Sequence, residues 1–174
     1  MHATFPATTP ATSAPRENRR RPLLLLAVAT TAILVLGLVQ PPAADAAGLD
    51  KQRKMLRIVN ATRARRDLPL LKLNRELSRD SMGHTRIMVR KDRIYDPPNL
   101  AEILEKYEWN DLGADVVGCG HTLKELHQIL MTEAFHRSIF LHPDLRRVGM
   151  GITRVHERNR CGRDSFWATE IFYG

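Results

Sequence analysis

The sequence is poor in the motifs that announce a reaction. It holds two cysteines in 174 residues, Cys119 and Cys161. They form no C-x-x-C pair, which leaves no dithiol redox centre and no four-thiolate zinc site. There is no H-E-x-x-H, so the zinc-protease helix is excluded. No glycine-rich phosphate loop and no G-x-S-x-G elbow occur, which removes nucleotide cradling and the elbow-borne serine nucleophile. Internal repeats are absent. No aromatic residue interrupts the basic run between Arg53 and Arg66. Without stacking side chains that run reads as a solvated face, and a nucleic-acid partner is not expected.

What is present divides the chain in two. Residues 1–15 are rich in Thr, Ala and Pro, residues 16–21 are basic, and residues 22–39 are almost wholly apolar. Pro41-Pro42 and Ala44-Asp45-Ala46 follow. A basic flank, an apolar core and a small-x-small site predict a signal peptide over residues 1–46, cleaved near Ala46. A secreted domain of residues 47–174 would remain. If uncleaved, residues 23–39 are long enough to span a bilayer, and the protein would be a membrane-anchored structural component of the envelope. The net charge is +8; without the leader's four arginines and two acids, 23 basic and 17 acidic residues remain. A basic exported domain is drawn to anionic wall polymers or lipid head groups, although the same charge also serves solubility. Export permits a disulfide, and Cys119 with Cys161 are expected to form it. Closing that loop stabilises by roughly 4 kcal/mol in the chain-entropy description.

Periodicity predicts a helix over residues 50–66, capped by Asp50, with Met55, Leu56, Val59 and Thr62 inward. Arg53, Lys54, Arg57, Arg63, Arg65 and Arg66 fall on its basic face. Residues 70–73 are an extended link. Asn74 caps a second helix carrying Leu77, His84, Thr85 and Met88. After a loop at residues 94–98, Asn99 and Glu102 predict a capping box for a short helix, as do Thr122 and Glu125 for the next. That later helix buries Leu123, Leu126, Ile129, Leu130 and Ala134. Residues 114–118, 148–155 and 166–173 read as strands, the last two joined by a polar loop. The fold class is α+β, a small antiparallel sheet flanked by helices.

Two stretches resemble a known family. One is M-x-x-x-x-H-R-x-x-x-L-x-P-x-x-x-x-V-G-x-G, running from Met131 to Gly151. The other is R-x-x-x-x-L-P-x-L-x-x-x-x-x-L-S-R, running from Arg63 to Arg79. With the closing Trp167-Ala168-Thr169-Glu170-Ile171-Phe172, they resemble the bacterial CAP domain, also called the SCP-like extracellular domain. The resemblance covers essentially residues 51–174 and implies an α-β-α sandwich. It also implies a central cleft often ringed by two histidines and two glutamates. Glu133 matches the glutamate of the family's W-x-x-E segment, apart from the Trp, and His136-Arg137 matches the H-R pair. Asp96 stands where a first histidine is common. Ala114 stands where the G-E-N glutamate would be, with Asp115 beside it. The H-Y-T-Q segment has no counterpart.

Glu133 and His136 are therefore the candidate catalytic and metal-ligating residues, with Asp96 a substitute third. Three residues apart on a helix, they share one face and could pass a proton or offer two ligands to a divalent ion such as zinc. The plainer expectation is a histidine satisfied by backbone at a helix end, with Arg137 paired to an acid. His84 reads as a surface or boundary residue. Lacking a full tetrad, the chain is expected to be a secreted, non-catalytic binding or interaction module without a cofactor. Its partner would be a lipid, a cell-wall polymer or a protein. The alternatives are a metal-assisted hydrolase built on Glu133, His136 and Asp96, or the anchored envelope protein.

Overall fold

The computed structural model describes residues 43–174. The predicted leader core, residues 22–39, lies outside them. Among the described residues no helix is long and apolar enough to cross a membrane. The first helix, α1 (Ala43–Ala64), begins upstream of Asp50, which is an interior residue and not the predicted cap. Met55, Val59 and Thr62 are buried as their spacing requires. Arg63 was expected in solvent and is instead fully buried. It follows Val59 by one turn, so helical geometry carries it inward despite the basic run around it. Its Nε donates to the Pro69 carbonyl at 2.7 Å. Nη1 donates to the carbonyls of Phe140 at 2.8 Å and His142 at 3.0 Å, and Nη2 to that of Leu145 at 3.3 Å.

A two-residue strand, β1 (Lys72–Leu73), follows the turn after α1. Asn60 holds that turn by bonding both the N–H and the carbonyl of Leu71. Helix α2 (Arg75–Arg90) starts at Asn74, whose side chain accepts from the N–H groups of Glu76 and Leu77 as predicted. Helix α3 (Leu100–Leu104) starts at Asn99, but no side-chain cap forms there; Asn99 has φ −121° and ψ 36°, outside the extended geometry of a capping residue. Strand β2 (Gly113–Gly120) leads to α4 (Leu123–Thr132), which Thr122 caps through the Glu125 N–H at 3.0 Å.

The predicted single helix through residue 134 is two. Glu133 is extended (φ −82°, ψ 125°), and α5 (Ala134–Phe140) begins after it. Ile129 and Ala134, expected inside, are exposed: within α4 the inward positions are Leu123, Leu126, His127 and Leu130, which leaves Ile129 off that stripe, while Ala134 lies beyond the break. Strands β3 (Arg147–Val155) and β4 (Ser165–Tyr173) complete the sheet. The strand order is β1-β3-β4-β2. The long strands are antiparallel, and only β1 runs parallel, beside the start of β3.

Alternation on β4 sorts the two sides of the sheet. Trp167 and Ile171 pack with Met88 and Leu77 of α2, and Thr85 Oγ1 donates to Thr169 Oγ1. Ala168 and Phe172 face the opposite way, into the core built with α1, α4 and α5. The result is three layers, with α2 and α3 on one face and α1, α4 and α5 on the other. Helix α2 lies directly on β3: a Cβ on Gly149 would overlap Leu77, and one on Gly151 the main chain of Ser81 and Met82. The polar loop between β3 and β4 is tied to the end of β2 by the expected Cys119–Cys161 disulfide, with Cα atoms 6.2 Å apart.

Replacing Arg63 with Ala strips four carbonyls of their donor at once. The Arg63→Ala protein should lose about 3 kcal/mol or more in urea unfolding, and Arg63→Lys should recover little, since one ammonium cannot span those acceptors. A loss under about 1 kcal/mol would show that the carbonyls find other donors.

Candidate functional site

Glu133 sits between two helices, half of one end and half of the next, with its side chain 58% exposed. His136 lies one turn into α5 with its side chain 15% exposed. Its Nδ1 is 2.9 Å from Glu133 Oε2, an ion pair when the imidazole is protonated. The approach is not aligned as a hydrogen bond, and Nδ1 has no other partner. Among the described residues Arg137 does not pair with an acid. Its Nη1 donates to the carbonyls of Met131 and Thr132 at 3.2 and 3.3 Å, closing the end of α4.

Asp96 is exposed in the loop after α2. Buried His84, contrary to its expected boundary position, fixes that loop: its Nε2 is 2.7 Å from the Tyr95 carbonyl, and its ring meets that of Tyr95 edge-on. The charge of Asp96 acts on Asp115 of β2. Burial first, and Asp96 second, push the Asp115 carboxyl up to about 7. Its buried Oδ2 has no hydrogen-bond partner. On β2, Gly113 faces Leu104 and Trp109, and Gly118 faces Leu126 and Leu130 of α4. Asp115 shares the side of Gly113, away from α4. The structure thus brings Glu133 to His136 and Asp96 to Asp115. Among the described residues, no three His, Cys, Asp or Glu side chains gather where they could hold a metal ion.

Two polar residues stand out in the structure beyond the sequence candidates. Asp115 is next to Ala114 on β2. Glu170, within the closing motif, is fully buried with neither oxygen partnered. It lies in the middle of β4, between Val116 and Met150. Burial alone pushes its carboxyl up to about 8, so it is mostly a neutral acid at pH 7. Its sequence signal was available: in the alternation Ala168, Glu170, Phe172 it occupies a core position. The buried His127 is satisfied on one side, with Nε2 2.9 Å from Thr62 Oγ1. Burial, and then Arg65, push its imidazole down to about 4, so it is neutral at pH 7.

Chemically, the arrangement offers one carboxyl that titrates near neutrality, one buried neutral acid, and one half-exposed Glu–His contact. The three-layer architecture with this sheet is the CAP, or SCP-like, fold. The sequence matches no family model and no curated protein. Its structure is similar to that of an extracellular protein containing an SCP domain from Bacillus anthracis, with a TM-score of 0.57 and 20% identity. That similarity covers 79% of this chain and 44% of the Bacillus protein, so this chain spans less than half of that protein's length. It is also similar to an outer surface protein from Borrelia burgdorferi, with a TM-score of 0.54 and 11% identity, covering 71% of this chain and 92% of that one.

Glu170 makes stability depend on pH with a definite sign. Its folded value of about 8 lies above the ordinary 4.5, so between those pH values the folded protein holds a proton the unfolded chain has lost. Stability from this residue is complete below pH 4.5 and is lost as pH rises to about 8. Glu170→Gln lacks that slope. Comparing denaturant unfolding at the two ends, the difference between the proteins should move in the variant's favour by on the order of 4 kcal/mol. A difference independent of pH would mean that Glu170 ionises as it does in water.

Proposed function

We propose that the protein is exported and works outside the cytoplasm as a CAP-fold binding or interaction module, not as an enzyme. The observation that carries this reading is the division of the candidate residues. Glu133 and His136 meet at an exposed helix junction without an aligned hydrogen bond. Asp96 is coupled instead to Asp115, and Ala114 has no group that could ligate or transfer a proton. Export is supported by the leader pattern of residues 16–46, by the Cys119–Cys161 bridge, and by the extracellular and outer-surface proteins with similar folds. The module's partner is a lipid, a cell-wall polymer or another protein, met by a surface whose charge is positive overall.

One observation favours a second reading. A carboxyl with a value of about 7 beside a second carboxyl is the kind of group that donates or accepts a proton in catalysis. In that reading the protein is a hydrolase, with Asp115 moving the proton and Asp96 holding its value up.

Calorimetric titration with zinc, magnesium and calcium tests the metal-assisted alternative directly. The module reading expects no stoichiometric uptake; uptake of one ion, lost in His136→Ala, would overturn it. Mass analysis of the native amino terminus should find a start near Ala47. A peptide retaining residues 23–39 in the membrane fraction would instead identify the anchored envelope protein.

A further inference from the structure

Away from the candidate site, one concavity gathers three arginines and a single acid on an otherwise largely apolar wall. It lies between the C-terminal half of α2 and the last residues of β3, has a volume of about 330 Å³, and is walled by Arg86, Arg90, Thr153 and Arg154. Val89 and Val155 supply its apolar sides, and Glu157 is the one acid on its wall. Arg86 and Arg90 are one turn apart on α2, both exposed, so their side chains are neighbours on the helix surface. Neither is in an ion pair among the described residues, whereas Arg79 of the same helix is paired with Glu76. Arg154 is held at the rim, its guanidinium 3.6 Å from Asp164 and over the Phe166 ring at 5.5 Å. Asp164 is shared with His156 at 2.6 Å, so its charge is already engaged.

The strand adds a main-chain donor. Met150 turns its N–H away from β4, to Ser78 Oγ at 3.0 Å. Strand alternation turns the N–H of Arg154 toward that same edge. Strand β1 covers the edge only at Arg147 and Val148. The Arg154 N–H therefore has no strand beside it, at the end of β3 that lines the groove.

We propose that this groove binds a phosphoryl group, carried either by a small soluble phosphate ester or by a phospholipid head group. A carboxylate offers two oxygens in one plane, fewer acceptors than a phosphoryl group brings to two guanidinium groups. A tetrahedral phosphate presents oxygens to both Arg86 and Arg90, and guanidinium–phosphate pairs are among the strong charge-assisted contacts. The Thr153 hydroxyl and the Arg154 N–H complete a polar floor, and Val89 and Val155 flank the organic part of the ligand. This inference goes beyond the proposed function: it requires neither export nor the absence of chemistry at Glu133 and His136.

The test uses the purified protein with two probes, inorganic phosphate by calorimetry and phosphatidylglycerol vesicles by co-sedimentation, with phosphatidylcholine vesicles as the neutral control. The double variant Arg86→Ala/Arg90→Ala is compared with Arg53→Ala/Arg57→Ala, which removes the same charge from the exposed face of α1. Unchanged thermal unfolding of both checks that they fold. The expected result is saturable binding of at least one probe that falls roughly tenfold or more in the groove variant and little in the α1 variant. Binding of inorganic phosphate identifies a site for the phosphoryl group itself, open to soluble esters. Binding of the anionic vesicles alone, sensitive to the groove variant, identifies the head-group source. Equal weakening in both variants would reduce the effect to general charge attraction and overturn the site, as would no saturable binding of either probe.

Discussion

The fold depends most on how it accommodates one buried cation. Arg63 places a guanidinium where water does not reach, and four main-chain carbonyls from three separate segments take up its protons. Burying a charge is tolerable only when it is satisfied this completely. The acceptors lie just after α1, at the end of α5, and in the turn entering β3. Thr62, the preceding residue, reaches His127 on α4 in the same way. Two adjacent side chains of α1 thus set the position of both halves of the broken α4–α5 unit.

The contrast with the unsatisfied groups is informative. The core that partners every nitrogen of Arg63 leaves Glu170 with none and Asp115 with one oxygen unpartnered. A carboxyl in such surroundings retains its proton, because ionising it would cost the hydration it has lost. The two groups lie on opposite faces of the sheet. They are consequently separate features, one in the apolar core shared with α4 and one under the loop that His84 pins. Only Asp115 has a second carboxyl acting on it.

Much of the architecture could be read from pattern because the relevant signals are local. The long strands alternate or run apolar, and Asn74 and Thr122 cap helices through their own neighbours. The failures share a cause too. Arg63 and His84 were placed by residue type, whereas helix geometry and a distant acceptor decide their burial. Ile129 is apolar, but His127 takes the inward position on α4 and Ile129 falls outside the buried stripe. The Glu133–His136 contact was anticipated for helical spacing and survives the break, since a residue beginning a helix also lies beside the residue three further on. Glu170 is legible from its place in the Ala168, Glu170, Phe172 alternation, whereas a sheet covered on both faces hides that Asp115 has lost its solvent.

The V-G-x-G segment is the most recognisable part of the chain, and its glycines are there because α2 leaves no room for a side chain at Gly149 or Gly151. What that motif transmits between proteins is a distance, the close approach of one helix to one strand. It is indifferent to the groups lining any cleft. The motif stands in this chain together with Ala114, which has no reactive group, so likeness through it speaks for shape and not for chemistry.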